Sequence, residues 1–229
     1  PQASNDAVSM KRLLSKYDFK VFESINDSVD TMRETIRLGL DEIKRINKNE
    51  KDIEIIFYFS GHGLSLDGEN FLLPSDIPLI ESKEELRANA LSLNKTVDII
   101  SENIESIKIF IIDSCRNEIL SSDFDSFDLL RSRKNTKITK MKSIKENIRI
   151  PNSEITFVPM KAQKNSIFAY ATAPGEYAYY KEKLNNSFFT ESLINQIETN
   201  PGKNLKEILM LTREDVFNVT DSRQTTWDS

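Results

Sequence analysis

IEIIFYFSGHG (53–63) opens as a run of β-branched and aromatic residues and breaks into small and polar ones at Ser60. A continuous apolar run of this length, closed by glycine, reads as a strand covered on both faces. IKIFIIDSCRN (107–117) repeats the form, apolar through Ile112 but for Lys108 and polar from Asp113 onward. The segments around them alternate in type. Helical spacing marks 5–16 (Val8, Leu13, Leu14, with Ser4 or Asn5 as N-cap) and 28–46 (Val29, Met32, Ile36, Leu40, Ile43). It also marks 91–104, 187–198 and 205–219, while KVFESI (20–25), FLLPSD (71–76) and SIFAYATA (166–173) read as strands. Buried strands alternating with helices predict an α/β fold: a mostly parallel central sheet with helices on both faces.

Such a sheet gathers functional groups just beyond the carboxyl ends of its strands. His62 and Cys115, the chain's only histidine and only cysteine, each follow one of the two buried runs by two residues. A histidine can take the proton of a thiol and leave a strong nucleophile. The backbone N–H groups of Gly63 and Cys115 are then the natural donors for a tetrahedral oxyanion. The bland alternative is a buried cysteine and a hydrogen-bonded histidine, each structural. Against it, Cys115 sits among Asp113, Ser114 and Arg116, poor company for a core residue.

Composition narrows the setting. A chain of 229 residues, 38% apolar and 29% charged, suits one globular domain (1–229). No uninterrupted apolar run exceeds five residues, and no signal peptide opens the sequence, so no membrane partner is expected. One cysteine forms no internal disulfide, which points to a reducing cytoplasm, and one Cys with one His make no zinc site. The net charge of −5 conceals a window, 129–150, with eight Lys or Arg against Glu146 alone. That window is +7 and the rest of the chain −12. Lacking aromatics for stacking, the window reads as a solvated, mobile loop rather than a nucleic-acid site.

The chain resembles the caspase-like cysteine peptidases, above all their metacaspase and bacterial branch. FYFSGHG with GENFLLPSD is similar to their histidine segment and IFIIDSCRN to their cysteine segment, with His62 and Cys115 separated by 53 positions. IFAYATAPGEYAYY and NNSFFTESLINQI resemble the start of the small subunit, and SRQTTWDS its end. The resemblance implies a caspase-like fold with a large-subunit part (1–120), a linker (121–165) and a small-subunit part (166–229). It implies a Cys–His peptidase acting on proteins or peptides. An arginine that animal caspases use to bind aspartate is replaced by Tyr180, whereas the acids that metacaspases place in that pocket correspond to Asp6 and Asp113, with Ser60 on the wall. Cleavage after Arg or Lys is therefore expected, a guanidinium fitting a carboxylate pair best. The alternatives are a helix-capping Asp6 with an Asp113 bonded to local backbone, cleavage after Asp, or a catalytically silent interaction module. No cofactor is required; calcium is an option through Asp67, Glu69 and Asp76, although LDGEN (66–70) serves equally as a hairpin turn. The basic window falls where the family carries a cleavable linker, which implies self-cleavage between 131 and 149. The family's first core strand is expected upstream of Pro1, and with it a sensor domain or activator.

Overall fold

The computed structural model describes residues 2–46, 53–102, 106–114, 138–140, 148, 158, 160, 163–173, 178–181 and 185–229. Its centre is a four-stranded sheet in the order β1 (Glu54–Ser60), β5 (Ile107–Asp113), β7 (Ser166–Tyr170) and β9 (Trp227–Asp228). The first three strands run parallel and β9 closes the edge antiparallel to β7. Between β1 and β5 the chain forms β2 (Gly63–Leu66), β3 (Glu69–Leu72) and β4 (Leu91–Ser92), a separate antiparallel sheet. β6 (Ile138–Lys140) pairs with β8 (Tyr179–Lys181).

The period-2 alternation of the strands feeds two cores. Phe110, Ile112, Phe168 and Tyr170 face one side, where α2 (Val29–Ile46) and α4 (Leu93–Glu102) cover them with Val29, Leu93, Val97 and Ile100. Ile111 and Ala169 face the other, under α1 (Gln2–Lys16), α5 (Phe188–Thr199) and α6 (Leu205–Val219). Helices thus lie on both faces, as a parallel sheet requires to cover its apolar strands. The register aligns Phe57, Phe110 and Phe168 across three strands. The Phe110 and Phe168 rings stack 4.8 Å apart, and Phe57 leans on Phe110 at 6.1 Å. Rings at these separations add to the stabilisation from burial alone. A third core lies under β2–β4, where Leu64, Phe71, Ile80 and Leu86 meet at the base of α3 (Lys83–Asn89). A capping box between Ser82 and Glu85 starts that short helix.

Several sequence expectations change. α1 begins at Gln2, so Ser4 and Asn5 lie inside it, and the Ser4 hydroxyl donates to Asn26 instead of capping. KVFESI (20–25) forms no regular element and joins no ladder among the described residues. Side chains hold it to α2: Phe22 lies over Gly39 and Lys20 pairs with Glu42. β1 is half-buried along its length rather than sealed, because among the described residues only β5 pairs with it. FLLPSD contributes to the small antiparallel sheet, not the central one. Asp67 and Gly68, with φ of 53° and 79°, form the two-residue turn of the β2–β3 hairpin, a type I′ combination that Gly accommodates without strain. In the basic window, β6 is paired strand and Ile148 bridges to Ile80, where a solvated loop was expected. The rest of that window lies outside the described residues. Among the described residues no helix is long and apolar enough to cross a membrane.

Candidate active site

The site is built at the carboxyl ends of β1 and β5. Their ladder runs in register to a last pair, Ser60 with Asp113. It extends one step further, Gly61 N–H donating to the Asp113 carbonyl at 3.1 Å. A Cβ at Gly61 would sit 2.9 Å from the Phe59 ring, so the chain can leave β1 this closely only through glycine. His62 follows, half-buried, with its carbonyl accepting from Leu73 N–H at 2.9 Å. Burial lowers the His62 pKa and favours the neutral imidazole, the form that can accept a proton. Gly63 opens β2, so the turn carrying His62 is held by the central sheet before it and the small sheet after it. Cys115 lies outside the described residues; the described chain there ends at Ser114, fully buried.

Strand alternation turns Tyr58 and Ser60 of β1, and Asp113 of β5, toward the face covered by α1 and α5. On α1, Asp6 shares one buried stripe with Met10 and Leu13, at helical spacing, so packing of that stripe carries its carboxylate inside. Both acids are fully buried. Asp6 accepts from the Ser60 hydroxyl at 2.8 Å, from Ser187 N–H at 2.9 Å and from the Asn186 amide at 3.1 Å. Asp113 accepts through Oδ2 from the hydroxyls of Thr190, at 2.7 Å, and of Ser187. The Tyr58 hydroxyl lies 2.7 Å from that of Thr190. Neither acid serves the local role considered above: Asp6 lies inside α1 rather than at its cap, and the hydroxyls that Asp113 accepts from, those of Ser187 and Thr190, are 74 and 77 residues away.

The electrostatics follow from burial. Desolvation pushes the Asp113 carboxyl up to about 7, with the charge of Asp6 adding to it and the two hydroxyl donors opposing. Desolvation raises Asp6 as well, against its three donors. Burial, then the charges of Asp113 and Asp6, hold Tyr58 well above its usual range, so it keeps its proton. Two oxygens here are left over. Asp113 Oδ1 and, beside it in sequence, Ser114 Oγ are buried with no hydrogen-bond partner. With Oδ2 already taking two donors, Asp113 alone cannot offer the two free oxygens of a guanidinium fork.

The structure therefore brings Asp6, Ser60 and Asp113 into one hydrogen-bonded group, two residues short of His62 on β1. Asn186, Ser187 and Thr190 belong to the same group and were not singled out from the sequence. The available signal was a polar pair, Asn186-Ser187, before an apolar helix, which reads only as an N-cap; Ser187 is indeed the cap of α5. The calcium candidates have other partners or face solvent. Asp67 pairs with Lys83 and Arg87, Glu69 with Arg87 and the Ser92 hydroxyl, and Asp76 is exposed. No cluster of three or more metal-ligating side chains is present among the described residues.

A mostly parallel sheet between two helical layers, with a histidine just beyond one strand and a buried acid ending its neighbour, is a caspase-like fold. The chain belongs to the caspase family: the caspase domain matches residues 1–229. Over 120 residues it is 26% identical to the human mucosa-associated lymphoid tissue lymphoma translocation protein 1, a match covering 52% of this chain and 13% of that protein's length. The crystal structure of caspase-1 from Spodoptera frugiperda superposes with a TM-score of 0.60 at 13% identity, covering 98% of this chain and 76% of that one. At that identity the likeness concerns the fold.

Proposed function

We propose that the chain is a cysteine endopeptidase that cleaves polypeptides after Arg or Lys. The observation that supports this most directly is the buried pair Asp6–Asp113 with one carboxylate oxygen, Asp113 Oδ1, unpartnered. A buried acid with a raised pKa and a spare acceptor is suited to a cationic side chain, whose charge restores the ionised form. It is ill suited to aspartate, whose negative charge would oppose ionisation of the pair further.

In this reading the Cys115 thiol gives its proton to His62 and the thiolate attacks the scissile carbonyl carbon. The N–H groups of Gly63 and Cys115 hold the oxyanion. His62 then returns the proton to the leaving amine, and the C–N bond breaks to leave a thioester. Water, deprotonated by His62, adds to that thioester; the thiolate leaves and recovers its proton. The depressed pKa of His62 keeps it unprotonated in the free enzyme near neutral pH, ready for the first step.

The test is cleavage of matched fluorogenic peptides ending in Arg, Lys or Asp, with and without calcium, by wild type and Cys115→Ala. Hydrolysis after Arg or Lys that disappears in the variant is the expected result; hydrolysis only after Asp refutes the pocket assignment and keeps the peptidase. Self-cleavage within 131–149 belongs to the same proposal. It predicts two fragments from wild type on storage and an intact Cys115→Ala chain.

A further inference from the structure

We infer that the first turn of α5 is a positioning element for substrate specificity: Ser187 and Thr190 grip one oxygen of Asp113 so that the other alone meets the substrate's cationic side chain. This rests on the reading of the acid pair as the specificity pocket. Ser187 and Thr190 stand three apart at the start of a helix, so their side chains share a face. Both hydroxyls donate to the same atom, Asp113 Oδ2. The Thr190 proton is committed to Asp113, so Tyr58 supplies the proton in its own contact with Thr190, and the rotor is pinned from both sides. Ser187 is pinned too: its oxygen caps α5 by accepting from Thr190 N–H at 2.9 Å. Its backbone N–H reaches Asp6. One helical turn thereby sets both carboxylates at once, and the carboxylate plane of Asp113 has no freedom to rotate. Oδ1, buried and unpartnered, is the oxygen left for a ligand.

A residue that acts through Asp113 changes binding of basic substrates without touching the bond-breaking groups. Thr190→Val keeps the shape of the side chain and removes the donor. KM for peptides ending in Arg or Lys should rise about tenfold, the loss of one charge-assisted hydrogen bond, with kcat within about twofold of wild type. Thr190→Ser restores the hydroxyl and should bring KM back to within about threefold.

A second readout separates positioning from general damage. Asp6 on α1, Tyr58 on β1 and Glu191 on α5 are the titratable groups that face the pair, and all three variants keep them. The Thr190 hydroxyl favours the ionised form of Asp113. Without it, the pH below which KM climbs should move upward, while the pH dependence of kcat stays in place. Thr190→Ala, which leaves space for a water, carries the same test if the valine variant does not fold. An unchanged KM, or a fall in kcat alone, in a folded variant overturns the positioning role and leaves the pocket standing. Failure of the wild type to cut after Arg or Lys overturns the pocket reading and this inference with it.

Discussion

β1 and β5 are nearly the same strand written twice. Each has seven residues, each carries one charged residue near its start and is apolar from there to its polar last position, and each pairs with the other residue for residue from Glu54–Ile107 to Ser60–Asp113. Yet Phe110, Ile111 and Ile112 of β5 are buried, whereas every residue of β1 beyond exposed Glu54 is half-buried. The difference is topological, since among the described residues β5 has neighbours on both sides and β1 on one. What a strand is made of follows from composition; how deeply it is buried follows from which other segments reach it. The ends differ in kind as well. β1 delivers a hydroxyl and, beyond it, a titratable base, while β5 delivers a buried acid.

The most severe way to break the pairing is at those ends. If His62 and the cysteine after β5 act as one machine, His62→Ala and Cys115→Ala should each lower kcat/KM by about a thousandfold or more. The double variant should be no worse than the poorer single one, because groups that act in one step are strongly non-additive. Additive losses would mean that the two strand ends work separately. The measurement is peptide hydrolysis by all three variants under single conditions.

The bodies of the strands offer a second contrast. Phe110→Ala removes a fully buried ring that stacks on Phe168 and touches Phe57, and should cost about 3–5 kcal/mol of stability. Phe57→Ala, on the half-buried partner, should cost roughly half as much, because less area leaves water when it folds. Urea unfolding of both variants against wild type measures the ratio. Equal costs would show that β1 is as well covered in solution as β5.

This contrast also shows what could be read in advance. Apolar runs closed by polar residues made β1 and β5 legible, and the apolar stripe made 205–219 legible to the residue. His62, Asp6, Ser60 and Asp113 were visible as residue types at strand ends and in a resembling pattern. KVFESI was misread because a strand is a pairing, and β-propensity says nothing about whether a partner edge is available. Ser4 and Asn5 were misread because the helix runs on through them to Gln2. Ser187 and Thr190 were invisible for a different reason. Their meaning lies in contacts with Asp113 made across 74 and 77 residues, and a hydroxyl near a helix start carries no mark of which acid it will meet.

Burial of charge gives two smaller effects of opposite character. The Asp113 pKa is raised in the folded state from 3.8 to about 7, so the unfolded chain ionises first as pH rises. Stability from this group is therefore complete below about pH 4 and is lost progressively up to about pH 7. His62, lowered in the folded state, contributes with the opposite sign near its usual range, so the informative quantity is the difference between wild type and Asp113→Asn. Thermal unfolding from pH 4.5 to 8 should show the variant gaining on wild type as pH rises, since the amide has no proton to lose. Asp67 is the foil: exposed, in the hairpin turn, and lowered by its hydrogen bond to Lys83. Asp67→Asn keeps a residue tolerant of the left-handed turn and removes only exposed ion pairs. It should shift Tm by no more than about 2 °C, and less in high salt. A larger shift, or one that persists in salt, would mean that this carboxylate does more for the hairpin than its exposed pairs with Lys83 and Arg87 can account for.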